Sequence, residues 1–251
     1  MVVDPRMRLR RIAVRRNEGR RRLKRLVAAL FVVALLVSGY ALTQTPLLDV
    51  DRIEVHGAAR TPVAEVHGAL DVARGDPMVE VDERAAARRI ETLPWVAEAT
   101  VSRRWPGTVR VRIVERSPVA VLPVIEGRTA LVDREGRILE LIPGEPEGLL
   151  VLEGVAGPIA AGNVVPDDAR EALRLVVALA DRLPGAVRSV STDLDAELST
   201  GGTARFGSVE ELDDKVVALE TLLDEVDMSC VDVLDLRVPR SPALTRRPDC
   251  D

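Results

Sequence analysis

Leu26-Val27-Ala28-Ala29-Leu30-Phe31-Val32-Val33-Ala34-Leu35-Leu36-Val37-Ser38-Gly39-Tyr40-Ala41-Leu42 carries no charge. As a helix this run rises ~25 Å at about 1.5 Å per residue. With its flanks it matches a bilayer core of about 30 Å. Only a closed helix satisfies its own backbone polar groups in hydrocarbon, and Tyr40 suits the headgroup interface. A buried core helix is the competing assignment. Against it, the run is apolar all round, where a core-facing surface helix shows one apolar stripe. The reading is one membrane span over residues 26–42.

Working outward, the two flanks differ sharply in charge. Residues 1–25 hold Arg6, Arg8, Arg10, Arg11, Arg15, Arg16, Arg20, Arg21, Arg22, Lys24 and Arg25 against Asp4 and Glu18. That segment is near +9, and a whole-chain charge of −5 leaves about −14 for the remainder. The positive-inside rule then puts the N-terminus in the cytoplasm and the bulk of the chain outside. A basic run also fits nucleic acid, but topology already accounts for this one, and it meets anionic lipid at the membrane surface. A cleavable signal peptide is the rival reading, with Gly39-Tyr40-Ala41 as small residues at a cleavage spacing. The long basic lead and the length of the apolar run favour an uncleaved anchor.

Composition bounds the rest. The chain has 251 residues, 47% hydrophobic, which after the span leaves room for two small domains. Aromatics are 2%, so the cores must be aliphatic, and a base- or sugar-stacking surface is disfavoured. Two cysteines, Cys230 and Cys250, lie in the exterior part, where disulfides persist. A hairpin about Pro239-Arg240-Ser241-Pro242 would bring them opposite each other. A disulfide and two isolated thiols both remain open.

After a linker over 43–49, Val50-Asp51-Arg52-Ile53-Glu54-Val55-His56-Gly57 alternates apolar and polar, as a half-buried strand does. Thr61-Pro62 reads as N-cap and first helical position, with Val63, Val66, Ala69 and Leu70 as the stripe. A second helix follows Asp82 and ends at Pro94. Trp95 to Arg103 and Thr108 to Glu115 are strands around Arg104-Trp105-Pro106-Gly107. Residues 50–117 therefore read as strand, helix, helix, strand, strand.

Pro118 opens a second region, over 118–247, with a tail at 248–251. Thr129 to Val132 and Arg137 to Leu141 form a hairpin around Asp133-Arg134-Glu135-Gly136. Leu149 to Leu152 is a buried-strand candidate. Pro166 to Leu183 is an amphipathic helix. Val187 to Leu194, Ala196 to Leu198 and Thr203 to Phe206 are strands. Ser208-Val209-Glu210-Glu211 has the pattern of a capping box ahead of another helix. The last strands are Val231 to Val238 and Ala243 to Arg246. The fold class is α+β: a transmembrane helix, a βααββ domain, and a mixed domain of sheet plus helices.

The βααββ order resembles the polypeptide-transport-associated (POTRA) domain. Four local pieces extend the resemblance: Val50-Asp51-x-Ile53-x-Val55-x-Gly57, Leu93-Pro94-Trp95-Val96, Val101-x-Arg103-Arg104-Trp105-Pro106, and Glu115-Arg116-x-Pro118-Val119-Ala120. In that order, after a basic lead and one span, they resemble the FtsQ/DivIB family of bacterial cell-division proteins. The family carries a β domain after its POTRA domain, and Leu234-Asp235-Leu236-Arg237 is similar to its near-terminal strand motif. The resemblance implies a single-pass plasma (inner) membrane protein at the division septum. It implies a scaffold linking the cytoplasmic and extracytoplasmic parts of the divisome, which helps control septal peptidoglycan synthesis. It also implies partners: FtsB and FtsL on the C-terminal strands, with FtsW and a septal transpeptidase beyond them.

The residues themselves carry no reaction machinery. His56 and His67 lack Cys or His companions at ligand spacing. There is no Gly-x-Ser-x-Gly elbow and no Gly-rich loop ending in Lys-Ser/Thr. Asp167-Asp168, Glu210-Glu211 and Asp213-Asp214 read as helix-dipole and solubility charges. No enzyme, cofactor, small-molecule substrate or nucleic acid is expected. Two other classes stay in view: a POTRA-bearing transport component, which would need many barrel strands, and a membrane-anchored exterior hydrolase, which would need a clustered catalytic set.

A binding role remains, because an open sheet edge accepts a partner strand. Ala243-Leu244-Thr245-Arg246 is the candidate edge, and Arg246-Arg247 could meet partner acids or simply blunt the edge. The resemblance adds Arg237. Beyond it, Val238-Pro239-Arg240-Ser241-Pro242 departs from the family pattern, and Pro242 cannot donate to a ladder. Trp105 is a second candidate, as an exposed recruitment anchor or as a residue packed beside its turn.

Overall fold

The computed structural model describes residues 23–40, 48–124 and 127–248. The basic lead up to residue 22, most of the linker, Cys250 and the end of the tail lie outside them. Helix α1 covers Leu23–Tyr40 and is long and apolar enough to cross a membrane, with none of it buried in protein. It starts earlier than the apolar run because Leu23, Lys24 and Arg25 are good helix formers with no breaker among them. Ala41 and Leu42 lie outside the described residues.

The chain then follows the order β1 (Arg52–His56), α2 (Val63–Leu70), α3 (Glu83–Ile90), β2 (Val96–Arg104), β3 (Thr108–Glu115). Next come β4 (Pro118–Val124), β5 (Arg128–Asp133), β6 (Ile138–Pro143), β7 (Leu150–Glu153) and α4 (Arg170–Arg182). The last elements are β8 (Val187–Ser191), β9 (Asp195–Leu198), β10 (Thr203–Arg205), α5 (Leu212–Glu225), β11 (Val231–Asp235) and β12 (Ala243–Arg246). Strands β1, β3 and β2, in that order, make a three-stranded sheet, and the other nine make a second sheet.

Two compact units divide the chain. The first comprises Met1–Glu54, Val72–Glu83 and Val101–Val111. Its described part is held by main-chain bonds around the entry to β1. Val50 N–H donates to Asp76 O at 2.8 Å, and Met78 N–H to Leu48 O at 3.0 Å. The Gly107 carbonyl accepts from both Asp51 and Arg52, at 2.7 and 3.0 Å. Arg103 donates to Glu83 and to the Met78 carbonyl, each at 3.2 Å, and Arg110 pairs with Glu54 at 3.0 Å.

The second unit comprises Val55–Asp71, Arg84–Thr100 and Arg112–Asp251. Thr61 does not cap α2, which starts at Val63 with Pro62 as an uncapped N-cap. Its hydroxyl instead donates to the Glu115 carboxylate at 2.8 Å. The same carboxylate accepts the N–H groups of Ala59, Arg60 and Thr61 at 2.7–3.0 Å. Arg89 closes the other end of α2, donating to the carbonyls of Ala69 and Leu70 at 3.1 and 2.6 Å, two groups a helix end leaves orphaned.

Burial pushes the Glu115 pKa up, but the hydrogen bonds from Thr61, Arg60 and Ala59 outweigh it and hold it below the usual carboxylate range. A folded-state pKa below the unfolded one adds stability above the unfolded value of about 4.3, and loses it as pH falls through the folded value. Glu115→Gln is therefore expected to cost about 1–2 kcal/mol at pH 7, discounted for partial exposure. Thermal unfolding from pH 7 down to pH 3 checks this. The gap between variant and parent should close as pH drops, and a constant gap would contradict the clamp.

The nine strands run β12-β11-β10-β9-β8-β7-β4-β5-β6. The steps β7 to β8 and β10 to β11 are parallel, so each needs a crossover, and α4 and α5 supply them. Both steps move the same way along the sheet, so right-handed crossovers place both helices on one face. The large core lies there: Leu173, Val176 and Leu179 of α4 and Val216 and Leu219 of α5 meet Leu122, Leu152, Val190, Leu198 and Leu234. Successive strand residues face opposite sides. Accordingly Val121, Leu131 and Leu139 form a second cluster with Trp95, 8% exposed, over which Arg60 stacks at 5.3 Å. Among the described residues, strands β8 to β11 lack such a second cover and show charges there, with Arg205 near Asp195 and Arg188 near Glu197.

Arg116 stitches the β3–β4 junction to the β5–β6 turn. Its N–H donates to the Trp95 carbonyl at 2.8 Å, its Nε to Val96 O at 3.0 Å, and its Nη1 to Asp133 at 2.6 Å and Glu135 at 3.1 Å. The other Asp133 oxygen accepts the N–H groups of Glu135 and Arg137, at 3.0 and 2.7 Å.

Ser208 and Glu211 do not form a capping box. Helix α5 begins only at Leu212, with Glu211 itself as the left-handed N-cap (φ 50°). Ser208 serves another group: Lys215, a buried lysine, donates from Nζ to the carbonyls of Phe206 and Ser208 at 2.8 and 2.9 Å and to the Ser208 hydroxyl at 3.2 Å.

Candidate functional site

Strand β12 is the terminal strand of the larger sheet, and all four of its residues are exposed. It lies antiparallel to β11, with Ala243 opposite Asp235, Leu244 opposite Leu234 and Thr245 opposite Val233. Leu234 is fully buried, whereas Leu244 remains 38% exposed. The apolar row of the core face thus runs out to the rim and stops half covered. The opposite edge is blunted: Ile138 N–H donates to Asn163 O and Gly162 N–H to Ile138 O, both at 2.8 Å. Segment 162–164 shields the start of β6 in this way, while β12 has no such cover among the described residues.

Strand β11 ends at Asp235, short of the expected Val238. Arg237 N–H bonds the Asp235 side chain at 3.1 Å, and Ser241 N–H bonds Val238 O at 3.0 Å. These local turns take the chain out of the ladder before Pro239. The Arg237 guanidinium grips Asp235 through Nε at 2.9 Å and Nη2 at 2.5 Å. That bidentate bond draws the Asp235 pKa down to about 2, so the pair stays charged across the physiological range. Arg237 therefore arrives at the edge already oriented, beyond the Ala243 end of β12. Gly207 lies so close that a Cβ there would press on the Arg237 side chain at 2.8 Å.

Arg246 and Arg247 behave differently. Arg246 is exposed on β12, near Asp227, whose pKa is lowered chiefly by its bonds to Ser229 and less by Arg246. Arg247 folds back: its Nη2 donates to Ser229 O at 2.9 Å and its N–H to Cys230 O at 3.0 Å. It braces the edge from behind and does not reach out from it. Cys230 is disulfide-bonded; Cys250, the other cysteine of the sequence, lies outside the described residues. Trp105 belongs to the first compact unit and is 53% exposed.

Sequence reasoning named Arg237 and Ala243 to Arg246, but passed over Asp235, Gly207 and the Leu234–Leu244 pairing. Asp235 was within reach, since an acid two residues before an arginine at a strand end favours this clasp. Gly207 had no signal, because its neighbour is thirty residues away.

Among the described residues, no group of three or more His, Cys, Asp or Glu side chains could hold a metal ion. An open groove of about 430 Å³ is lined mainly by charged residues at the start of α5 together with Arg174.

Residues 48–116 match the family model described as POTRA domain, FtsQ-type. Along most of the chain, it is 33% identical over 214 residues to the cell division protein FtsQ of Streptomyces coelicolor, covering 79% of this chain and 80% of that protein. The chain belongs to the FtsQ family of cell-division proteins. The FtsQ of Streptomyces bingchenggensis is 32% identical over 84% of this chain and 82% of its own length. The FtsQ of Mycolicibacterium smegmatis is 32% identical over 79% of this chain, which spans 59% of that longer FtsQ. Membership in FtsQ agrees with the order found here: one N-terminal apolar helix, a POTRA-type βααββ module and a β-rich region.

Proposed function

We propose that this chain is a scaffold without catalytic activity of its own, anchored by α1 in the plasma membrane at the division septum, with its N-terminus in the cytoplasm. The basic lead and acidic remainder support that orientation. It binds FtsB, together with FtsL, by strand addition along β12, and so links cytoplasmic and exterior parts of the divisome and helps control septal peptidoglycan synthesis. FtsW and the septal transpeptidase are reached through the same assembly.

The observation that carries this reading is an exposed four-residue strand at the open end of a nine-stranded sheet. Main-chain bonds to β12 supply affinity, a partner side chain over Leu244 completes the apolar row, and the clasped Arg237 sets register. Anchoring both partners in one membrane raises their effective concentration, so a short ladder suffices.

The test is capture of full-length FtsB by the detergent-solubilised chain. Leu244→Pro removes an N–H and fixes φ in the pairing strand, and should abolish capture. Arg237→Ala should weaken it about thirtyfold, a loss of ~2 kcal/mol as at other interface anchors. Full capture by both variants would refute the site. Photocrosslinking at positions from Val231 to Arg247 in living cells locates the contact independently.

A further inference from the structure

The exposed tip between β2 and β3 is unexplained by a partner at β12. The chain has two tryptophans. Trp95 is 8% exposed inside a core cluster, whereas Trp105 is 53% exposed. We propose that Trp105 seats in the headgroup boundary of the bilayer that α1 crosses, so that the β2–β3 tip is a second, interfacial membrane contact. This rests on the membrane-anchor reading above.

Three observations place the tip there. Its Gly107 carbonyl accepts the N–H groups of Asp51 and Arg52, the residues that lead out of the membrane linker. Gly107 also sits so near them that a Cβ would press on the Asp49 carbonyl and the Asp51 carboxylate, so the tip is fixed to the point of entry. From Tyr40, the last described residue of α1, to Asp51 the chain spans at most ~38 Å at about 3.5 Å per residue. Fully extended, that is the farthest Asp51, to which the tip is bonded, can stand from the end of the span.

The chemistry at this end suits an interface. Trp concentrates at membrane–water boundaries because its ring is apolar and its N–H polar. Arg104, next to it, is exposed and can reach phosphates. Val79 is also exposed, and its carbonyl lies 3.5 Å from the Arg103 guanidinium, beside the tip. Exposed Asp51 and Glu80 offset Arg52 and Arg104. The contact is therefore driven by the indole and not by net charge, and a zwitterionic lipid is enough.

The experiment uses the full chain reconstituted in phosphatidylcholine vesicles, with and without bromines placed high on the acyl chains. The emission lost on Trp105→Phe isolates Trp105 without disturbing Trp95. The expected result is that bromolipid quenches the Trp105 signal by roughly half and that the membrane shields it from acrylamide, as for an interfacial indole. Trp95 emission, read in the Trp105→Phe variant, should not respond. If flotation and external proteolysis show an anchored, outward-facing chain while Trp105 stays open to acrylamide and unquenched, the proposal is overturned. Shielding seen only in native membranes, and not in lipid vesicles, would overturn it in favour of a protein contact. A chain that fails to float with the vesicles would instead sink the anchor reading itself.

Discussion

Asp133→Ala is expected to cost about 3–5 kcal/mol of stability, because it leaves the Arg116 cation without its buried partner. Asp133 is 1% exposed and Arg116 17%, so water can replace little of what is lost. The substitution also orphans the N–H groups of Glu135 and Arg137, which share the second carboxylate oxygen. Thermal unfolding of the detergent-solubilised chain, followed by circular dichroism, reads the loss. Asp133→Asn, which keeps the acceptor, should retain part of it. A double substitution with Arg116→Met should recover much of the cost, since an apolar pair leaves no charge stranded. If the single variant unfolds within a degree or two of the parent, the pair is not a structural clamp.

Gly57→Ala comes next in size. Gly57 has φ +87°, a region that L side chains adopt only with strain. Its Cβ would also overlap the backbone carbonyl of Ile113 on β3, which has no rotamer by which to yield. Left-handed strain of about 1–2 kcal/mol and overpacking of about 1–3 together give a loss of about 2–5 kcal/mol. Gly185→Ala is the control: its φ is also positive (+81°), but nothing among the described residues stands within 4 Å of the added carbon. The difference between the two variants in unfolding temperature isolates the contact with Ile113. Equal shifts would mean that β3 does not approach Gly57 as described.

Local pattern in the sequence revealed what depends on local physics. The apolar run is a helix over its described residues, Thr108 to Glu115 is a strand over the residues expected, and Ala243 to Arg246 is the edge strand. What it did not reveal depends on distant residues. Thr61 looks like a cap, but Glu115, far along the chain, outcompetes the helix for its hydroxyl. Ser208 and Glu211 have the spacing of a capping box, yet Lys215 draws Ser208 away. The second apolar cluster needs Trp95 to meet Val121, Leu131 and Leu139 across strands whose order no local pattern states. For the candidate edge, composition and position identified the strand. The half-covered Leu244 emerged only from register, whereas the clasp between Asp235 and Arg237 is a local contact that the spacing allows.

Strand β12 is four residues long, with Pro242 immediately before it. So brief a ladder offers a partner only a few main-chain bonds. A grip of that kind lets go quickly when its holder drifts off, and re-forms quickly while both stay in the same patch of membrane. In the proposed assembly the chain and its partner can therefore part without either unfolding, since only those few bonds need break.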